Sequence, residues 1–181
     1  AGSEPSTGRP RGRSRSPVSV GDLVPVQVVK EPIGTKGARL SMQLSLPGRY
    51  MVLLPGERTL GVSRRISTQN ERRRLKQCAQ DLHPKGFGVI IRTVAEGHSE
   101  DQLRGDLNDL LQSWERIKRG LRSSAVGKVV HHEPGMVSSV MRDLFTADVD
   151  KVICDNRAVR KELENFAKEV LPSLCDRIDY H

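Results

Sequence analysis

Between Val28 and Leu40 the chain reads Val-Val-Lys-Glu-Pro-Ile-Gly-Thr-Lys-Gly-Ala-Arg-Leu, a run that few folds can use. Before it, Val24, Val26 and Val28 alternate with Pro25, Gln27 and Val29; after it, Leu40, Met42, Leu44 and Leu46 resume the same two-residue period. Pro32 ends the first strand, because its ring nitrogen has no hydrogen for a ladder. Lys36 then sits at a tight turn, flanked by Gly34 and Gly37, which let an extended partner approach the backbone closely. A β-hairpin is expected over 18–46. Two strands alone are marginally stable in water.

The rest of the chain divides by composition. Residues 1–17 are rich in Gly, Pro, Ser and Arg, with Arg9, Arg11, Arg13 and Arg15 at alternate positions and no apolar period. Such a segment buries too little to offset its ordering entropy and is expected to be a disordered linker. Residues 47–126 read as one α+β unit. A strand over Tyr50–Leu54 stops at Pro55-Gly56, and Thr68 with Glu71 makes a capping box for a helix starting near Gln69. A short strand over Gly88–Arg92 follows. Ser99 with Gln102 opens a longer helix striped by Leu103, Leu107, Leu110, Leu111, Trp114 and Ile117, with Gly120 as its expected stop. Residues 127–181 read as strand, helix, strand, helix, strand, an α/β pattern. Its strands are expected at Val129–Glu133, Asp150–Cys154 and Ile178–Tyr180.

A formal charge of +8 favours a polyanionic partner through counterion release, although a merely solvated basic surface explains it equally well. One Trp, two Tyr and three Phe leave little for base stacking and require an aliphatic core. Cys78, Cys154 and Cys175 are odd in number and widely spaced, which fits free thiols in a reducing compartment. No apolar run approaches membrane-spanning length, and no signal peptide is visible.

Anion chemistry concentrates where the strands end. Arg92 offers a planar fork of donors matched to a terminal phosphate, and Thr93 adds a hydroxyl beside it. Gly48 and Val52 flank the preceding strand, where backbone amides can face an anion. The plainer alternative is an ion pair between Arg92 and Glu96 or another neighbour. Lys36 is either an ordinary turn lysine or a phosphate contact. Of Arg64 and Arg65, one is expected to support the phosphate pocket or the backbone of a polyanion and the other to be solvated, and the run Arg72-Arg73-Arg74 with Lys76 reads as a solubility feature of an exposed helix face.

Four blocks carry a wider likeness: Val28–Leu40, Ser45-Leu46-Pro47-Gly48-Arg49-Tyr50, Gly61-Val62-Ser63-Arg64-Arg65-Ile66, and Ile91-Arg92-Thr93-Val94-Ala95-Glu96-Gly97. In this order and spacing they resemble the ribonuclease E/G family over roughly residues 18–181. The resemblance implies an α+β chain built of three pieces of a larger protein. These are the C-terminal part of an OB-fold RNA-binding barrel (18–46), a 5′-sensor unit (47–126) and half of a ribonuclease-H-like subdomain (127–181). It implies a 5′-monophosphate pocket at Gly48, Val52, Arg92 and Thr93, and RNA contacts at Lys36, Arg64 and Arg65.

The implied partner is single-stranded RNA bearing a 5′-monophosphate, in a bacterial cytoplasm or a plastid stroma. Homo-oligomers would form through regions outside this sequence. The intact family enzyme is an endoribonuclease that uses magnesium, with a structural zinc. Its magnesium carboxylates and zinc cysteines are expected beyond His181, so this chain is expected to hold neither a catalytic residue nor a metal. A non-catalytic RNA-binding protein of the same family is the alternative, and a bare structural fragment a third.

Three tempting sites read better as ordinary structure. His131 and His132 are adjacent and would point to opposite faces of a strand. Asp106-Leu107-Asn108 superficially matches the family's catalytic Asp-x-Asn but falls within the leucine-striped helix, where its polar residues read as solvent-facing. Asp148 and Asp150 fit an ordinary helix-to-strand loop.

Overall fold

A computed structural model describes residues 18–133, 135, 137, 139–141, 149–170 and 172–181. The expected linker over 1–17, Asp148, and part of the helix expected around Met136–Phe145 lie outside the described residues.

The hairpin forms from β1 (Gln27–Lys30) and β2 (Arg39–Ser41), antiparallel, with Val28 opposite Leu40 and a bulge between Val28 and Lys30. At its tip Ile33 and Lys36 exchange two backbone hydrogen bonds of 3.1 Å around Gly34-Thr35. Gly34 has φ +58°, a conformation other residues rarely adopt, so the first central position of this turn requires glycine. The second strand is shorter than the alternation to Leu46 suggests. Val28, Val29, Leu40 and Met42 are exposed, so among the described residues nothing covers the apolar side chains of the hairpin. One side chain ties it down: Gln27 accepts from the Ser45 amide at 2.8 Å and donates to the Ser45 carbonyl at 3.0 Å, imitating a strand partner.

The main sheet has the order β3-β4-β6-β5. Strands β3 (Leu46–Pro47), β4 (Met51–Pro55) and β6 (Phe87–Ile91) pair antiparallel in turn, and β5 (Leu60–Val62) runs parallel to β6 at the edge. Met51, Leu53, Val89 and Ile91 project from it into the core. Helix α1 (Gln69–Leu82) adds Leu75, Cys78 and Ala79, an i, i+3, i+4 face, and α2 (Glu100–Ser123) adds Leu103, Leu107, Leu110 and Ile117. Trp114 is half-buried and meets the edge of Phe87 at 6.3 Å, a core role as expected. Truncating Leu53 or Ile91 to Ala would cost about 2–5 kcal/mol.

Helix starts show which local signals prevailed. Ser99 and Gln102 form the expected capping box of α2, side chain to backbone in both directions. Thr68 makes no side-chain capping bond, and Glu71 does not reach back to complete the box, because its carboxylate is drawn to Arg74 and the Gly97 amide. Gly120 does not stop α2. It lies inside the helix, where a Cβ would come 2.7 Å from Cγ1 of Val130. The stretch expected as a strand over Val129–Glu133 is irregular, and Val130 packs across α2 at that glycine.

Beyond it a second, smaller cluster gathers Met141, Leu163, Ala167 and Ile178. Strands β7 (Val152–Cys154) and β8 (Ile178–Tyr180) run parallel, joined by α3 (Arg157–Val170) and a 3₁₀ turn. Asn156 caps α3, its side-chain oxygen accepting from the amides of Ala158 and Val159. The chain as a whole is α+β.

Candidate functional site

The site lies where β3 turns into β4 and where β6 ends. Residues 48–51 make a tight turn closed by a 2.8 Å bond from the Gly48 amide to the Met51 carbonyl. Opposite it, Arg92 leaves β6 with its amide on the Tyr50 carbonyl at 2.8 Å, and its Nη1 donates to the Gly48 carbonyl at 2.7 Å. Main chain and side chain of Arg92 are therefore held by the same turn. Thr93 opens a 3₁₀ turn (Thr93–Ala95), and its hydroxyl lies 2.8 Å from that of Ser63. Arg92 and Thr93 are half-buried, as is Val52, which registers with Ile90 across the β4–β6 ladder.

The expected amide cradle exists, but it is already filled. The amides of Arg49, Tyr50 and Met51 converge on the carboxylate of Asp106, at 2.9, 2.8 and 3.0 Å. Three consecutive N–H groups around one anion form a nest, and here the anion is an internal side chain. Burial pushes the Asp106 carboxyl above its ordinary range, and the three amide bonds oppose that shift without cancelling it. The reading of Asp106 as a solvent-facing position is thus overturned. Helical arithmetic had the signal: position 106 is three after Leu103 and four before Leu110, on the inward edge of their stripe.

A second layer supports the loop that carries Thr93. Arg74 makes a bidentate pair with Glu71 at 2.8 and 2.6 Å and donates to the His98 carbonyl at 2.9 Å, while Glu71 accepts from the Gly97 amide at 2.9 Å. These bonds hold the Glu71 carboxyl at about 2, well below its ordinary 4.5, with the Arg74 bond as the largest cause. His98 lies against the Tyr50 ring at 4.6 Å, closing the loop onto the turn. Local sequence pattern assigns Glu71 to a capping box and Arg74 to a solubility run; their pairing carries no distinct signal, since a pair at i, i+3 is common on any helix.

Ser63 links the site to the basic turn that follows β5. Arg65 donates its amide to the Ser63 hydroxyl at 3.3 Å, and Arg72 donates to the Ser63 carbonyl at 2.6 Å. Arg64 and Arg65 are exposed beside this anchor. Of the run read as a solubility feature, Arg72 and Arg74 are structural, whereas Arg73 and Lys76 are exposed. Lys36 stands apart on the hairpin tip, exposed, with no hydrogen bond to the Arg92 cluster among the described residues.

Metal chemistry finds no fit in this arrangement. Among the described residues no three His, Cys, Asp or Glu side chains converge. Asp106 is committed to three amides, and His131 and His132 lie on an irregular exposed stretch rather than a strand. Among the described residues, no helix is long and apolar enough to cross a membrane.

The profile of the Ribonuclease E/G family matches residues 45–181, which include the turn, Arg92, Thr93 and Asp106. The chain belongs to the Ribonuclease E/G family. It is 38% identical over 160 residues to Ribonuclease E of Nostoc sp., covering 86% of this chain and 23% of that protein. The Ribonuclease E/G-like protein, chloroplastic, of Arabidopsis thaliana is 37% identical over 174 residues, covering 91% and 17%. Ribonuclease G of Escherichia coli is 35% identical over 164 residues, covering 91% and 34%. The chain thus spans between 17% and 34% of the length of each of these relatives.

Proposed function

We propose that this chain is the RNA-binding and 5′-monophosphate-sensing portion of an endoribonuclease of the Ribonuclease E/G type, acting in RNA processing and decay. The observation that carries the reading is the fixed Arg92 guanidinium, held by the Gly48 carbonyl at 2.7 Å and followed directly by the Thr93 hydroxyl. A 5′-monophosphate brings up to two charges and three acceptor oxygens to such a fork. A 5′-hydroxyl brings neither. Each charge-assisted hydrogen bond contributes about 1.5–3 kcal/mol, less at an open site, so a several-fold preference is expected.

In this reading Gly48, Val52, Arg92 and Thr93 form the pocket, with Gly48 serving through its carbonyl and Val52 through its place in β4. Exposed Lys36, Arg64 and Arg65 contact phosphates further along a single strand. Residues 18–46 are the end of an OB-fold barrel, 47–126 the sensor unit and 127–181 part of a ribonuclease-H-like subdomain. Hydrolysis, magnesium and the structural zinc belong to the whole enzyme, in a bacterial cytoplasm or plastid stroma.

The test is binding of one single-stranded RNA sequence carrying either 5′ end. Arg92→Gln should bring the ratio of the two affinities from several-fold to about one. Equal losses on both RNAs would show an ordinary backbone contact and end the sensor reading.

A further inference from the structure

We infer that Asp106 is a positioning residue that sets the selectivity of the 5′-end pocket, by serving as the resident anion of the 48–51 turn; this rests on the pocket reading above. The bonds run in one line. Asp106 accepts the amides of Arg49, Tyr50 and Met51 at 2.9, 2.8 and 3.0 Å. The turn so fixed presents two carbonyls to Arg92: that of Gly48 takes Nη1 at 2.7 Å, and that of Tyr50 takes its amide at 2.8 Å. Through this turn the guanidinium is linked to a carboxylate on another element.

Gly48 supports the assignment independently. Its φ lies outside the left-handed region, so conformation does not demand glycine there. Space does: a Cβ at Gly48 would sit 2.6 Å from both Asp106 carboxylate oxygens, far inside contact distance. Any side chain at this position must expel the carboxylate from the amides. Gly48 and Asp106 are two halves of one device.

The device also decides what an incoming phosphate meets. A free three-amide nest would bind any small anion, including an internal phosphodiester of the RNA. With Asp106 in the nest those amides are closed to phosphate, and recognition falls to Arg92 and Thr93. A negative charge behind the turn further disfavours an anion that would bury itself there. Asparagine in its place would keep the shape but present an NH₂ group to amides that need acceptors.

The experiment uses this chain with one RNA sequence bearing a 5′-monophosphate or a 5′-hydroxyl, and compares Asp106→Asn, Gly48→Ala and Leu110→Ala. Leu110 is a buried core residue of the same helix face and controls for lost stability. Asp106→Asn and Gly48→Ala should each reduce the monophosphate-to-hydroxyl affinity ratio from several-fold to about one. Leu110→Ala should melt earlier and keep the ratio. A folded Asp106→Asn chain with the parent's ratio overturns the inference and leaves the pocket reading standing. Equal losses on both RNAs reduce Asp106 to a structural residue and overturn it also. No preference in the unaltered chain would sink the pocket reading and this one together. Should Asp106→Asn fail to fold, Gly48→Ala decides on the same ratio, since it keeps the carboxylate and crowds it out of the amides.

Discussion

Arg92 donates to the Gly48 carbonyl at 2.7 Å across 44 residues of sequence, and this bond joins the two strand ends that form the site. It orients one edge of the guanidinium and thereby aims the plane of the fork. A flexible ammonium has no such plane to aim.

Arg92→Lys separates fork from charge. The variant keeps one positive charge at the strand end, so the salt dependence of RNA binding should stay at the parent's slope. The monophosphate preference should fall most of the way to one. Competition binding with the two 5′ ends at two salt concentrations measures both. A lysine variant with the full preference would show that charge alone is read.

Overall RNA affinity should be strongly salt-dependent. If Lys36, Arg64, Arg65 and Arg92 each neutralise one phosphate of a single strand, log affinity falls with log salt at about −0.7 per contact, or about −3 in all. Replacing Arg64 or Arg65 with Ala should make the slope shallower by about 0.7. A flat response would count against every one of these contacts.

Strands β4 and β6 to within one residue, the Ser99–Gln102 box and the leucine stripe of α2 were legible in the sequence because short-range geometry decides them. Asp106 was not, although it lies on the inward edge of that stripe. A polar residue there is read as solvated unless its tertiary acceptor role is known, and that role is set by a turn 55 to 57 residues away. Thr68 and Glu71 fit the same capping pattern as Ser99 and Gln102, yet Glu71 found a guanidinium, a stronger partner than a neutral backbone N–H, and with it the amide of Gly97. Gly120 was read as a helix stop because glycine often ends helices; its actual use, close approach of Val130, depends on a segment that no local pattern places.

Gly120 yields a stability prediction of unusual sign. In an exposed helix interior, Gly→Ala adds about 1 kcal/mol. Here the new methyl would meet Val130 Cγ1 at 2.7 Å, so Gly120→Ala should gain little or lose, and Gly120→Val should cost about 1–3 kcal/mol. Removing the obstacle should restore the helix gain: in the Val130→Ala background, Gly120→Ala should raise the melting temperature. Additive effects in this double-mutant cycle would show that the two residues do not compete for space.

Glu71 gives the chain a defined acid limit. Its carboxyl titrates near 2 in the folded protein, against an ordinary 4.5, chiefly through the Arg74 bond and then the Gly97 amide. A lowered folded value means that the stabilisation is complete above the unfolded value of 4.5 and disappears as pH falls towards 2. Arg74 is partly exposed, so solvent screening reduces the contribution to on the order of 1 kcal/mol. Glu71→Gln should therefore lower the melting temperature at pH 7, and the gap between variant and parent should close as pH falls from about 4.5 to about 2. The loop held by Glu71 and Arg74 carries Thr93 at its start and His98 at its end, so the same variant should lose part of the monophosphate preference at pH 7. A stability gap that stays constant across this window would show that the pair is not what holds the loop.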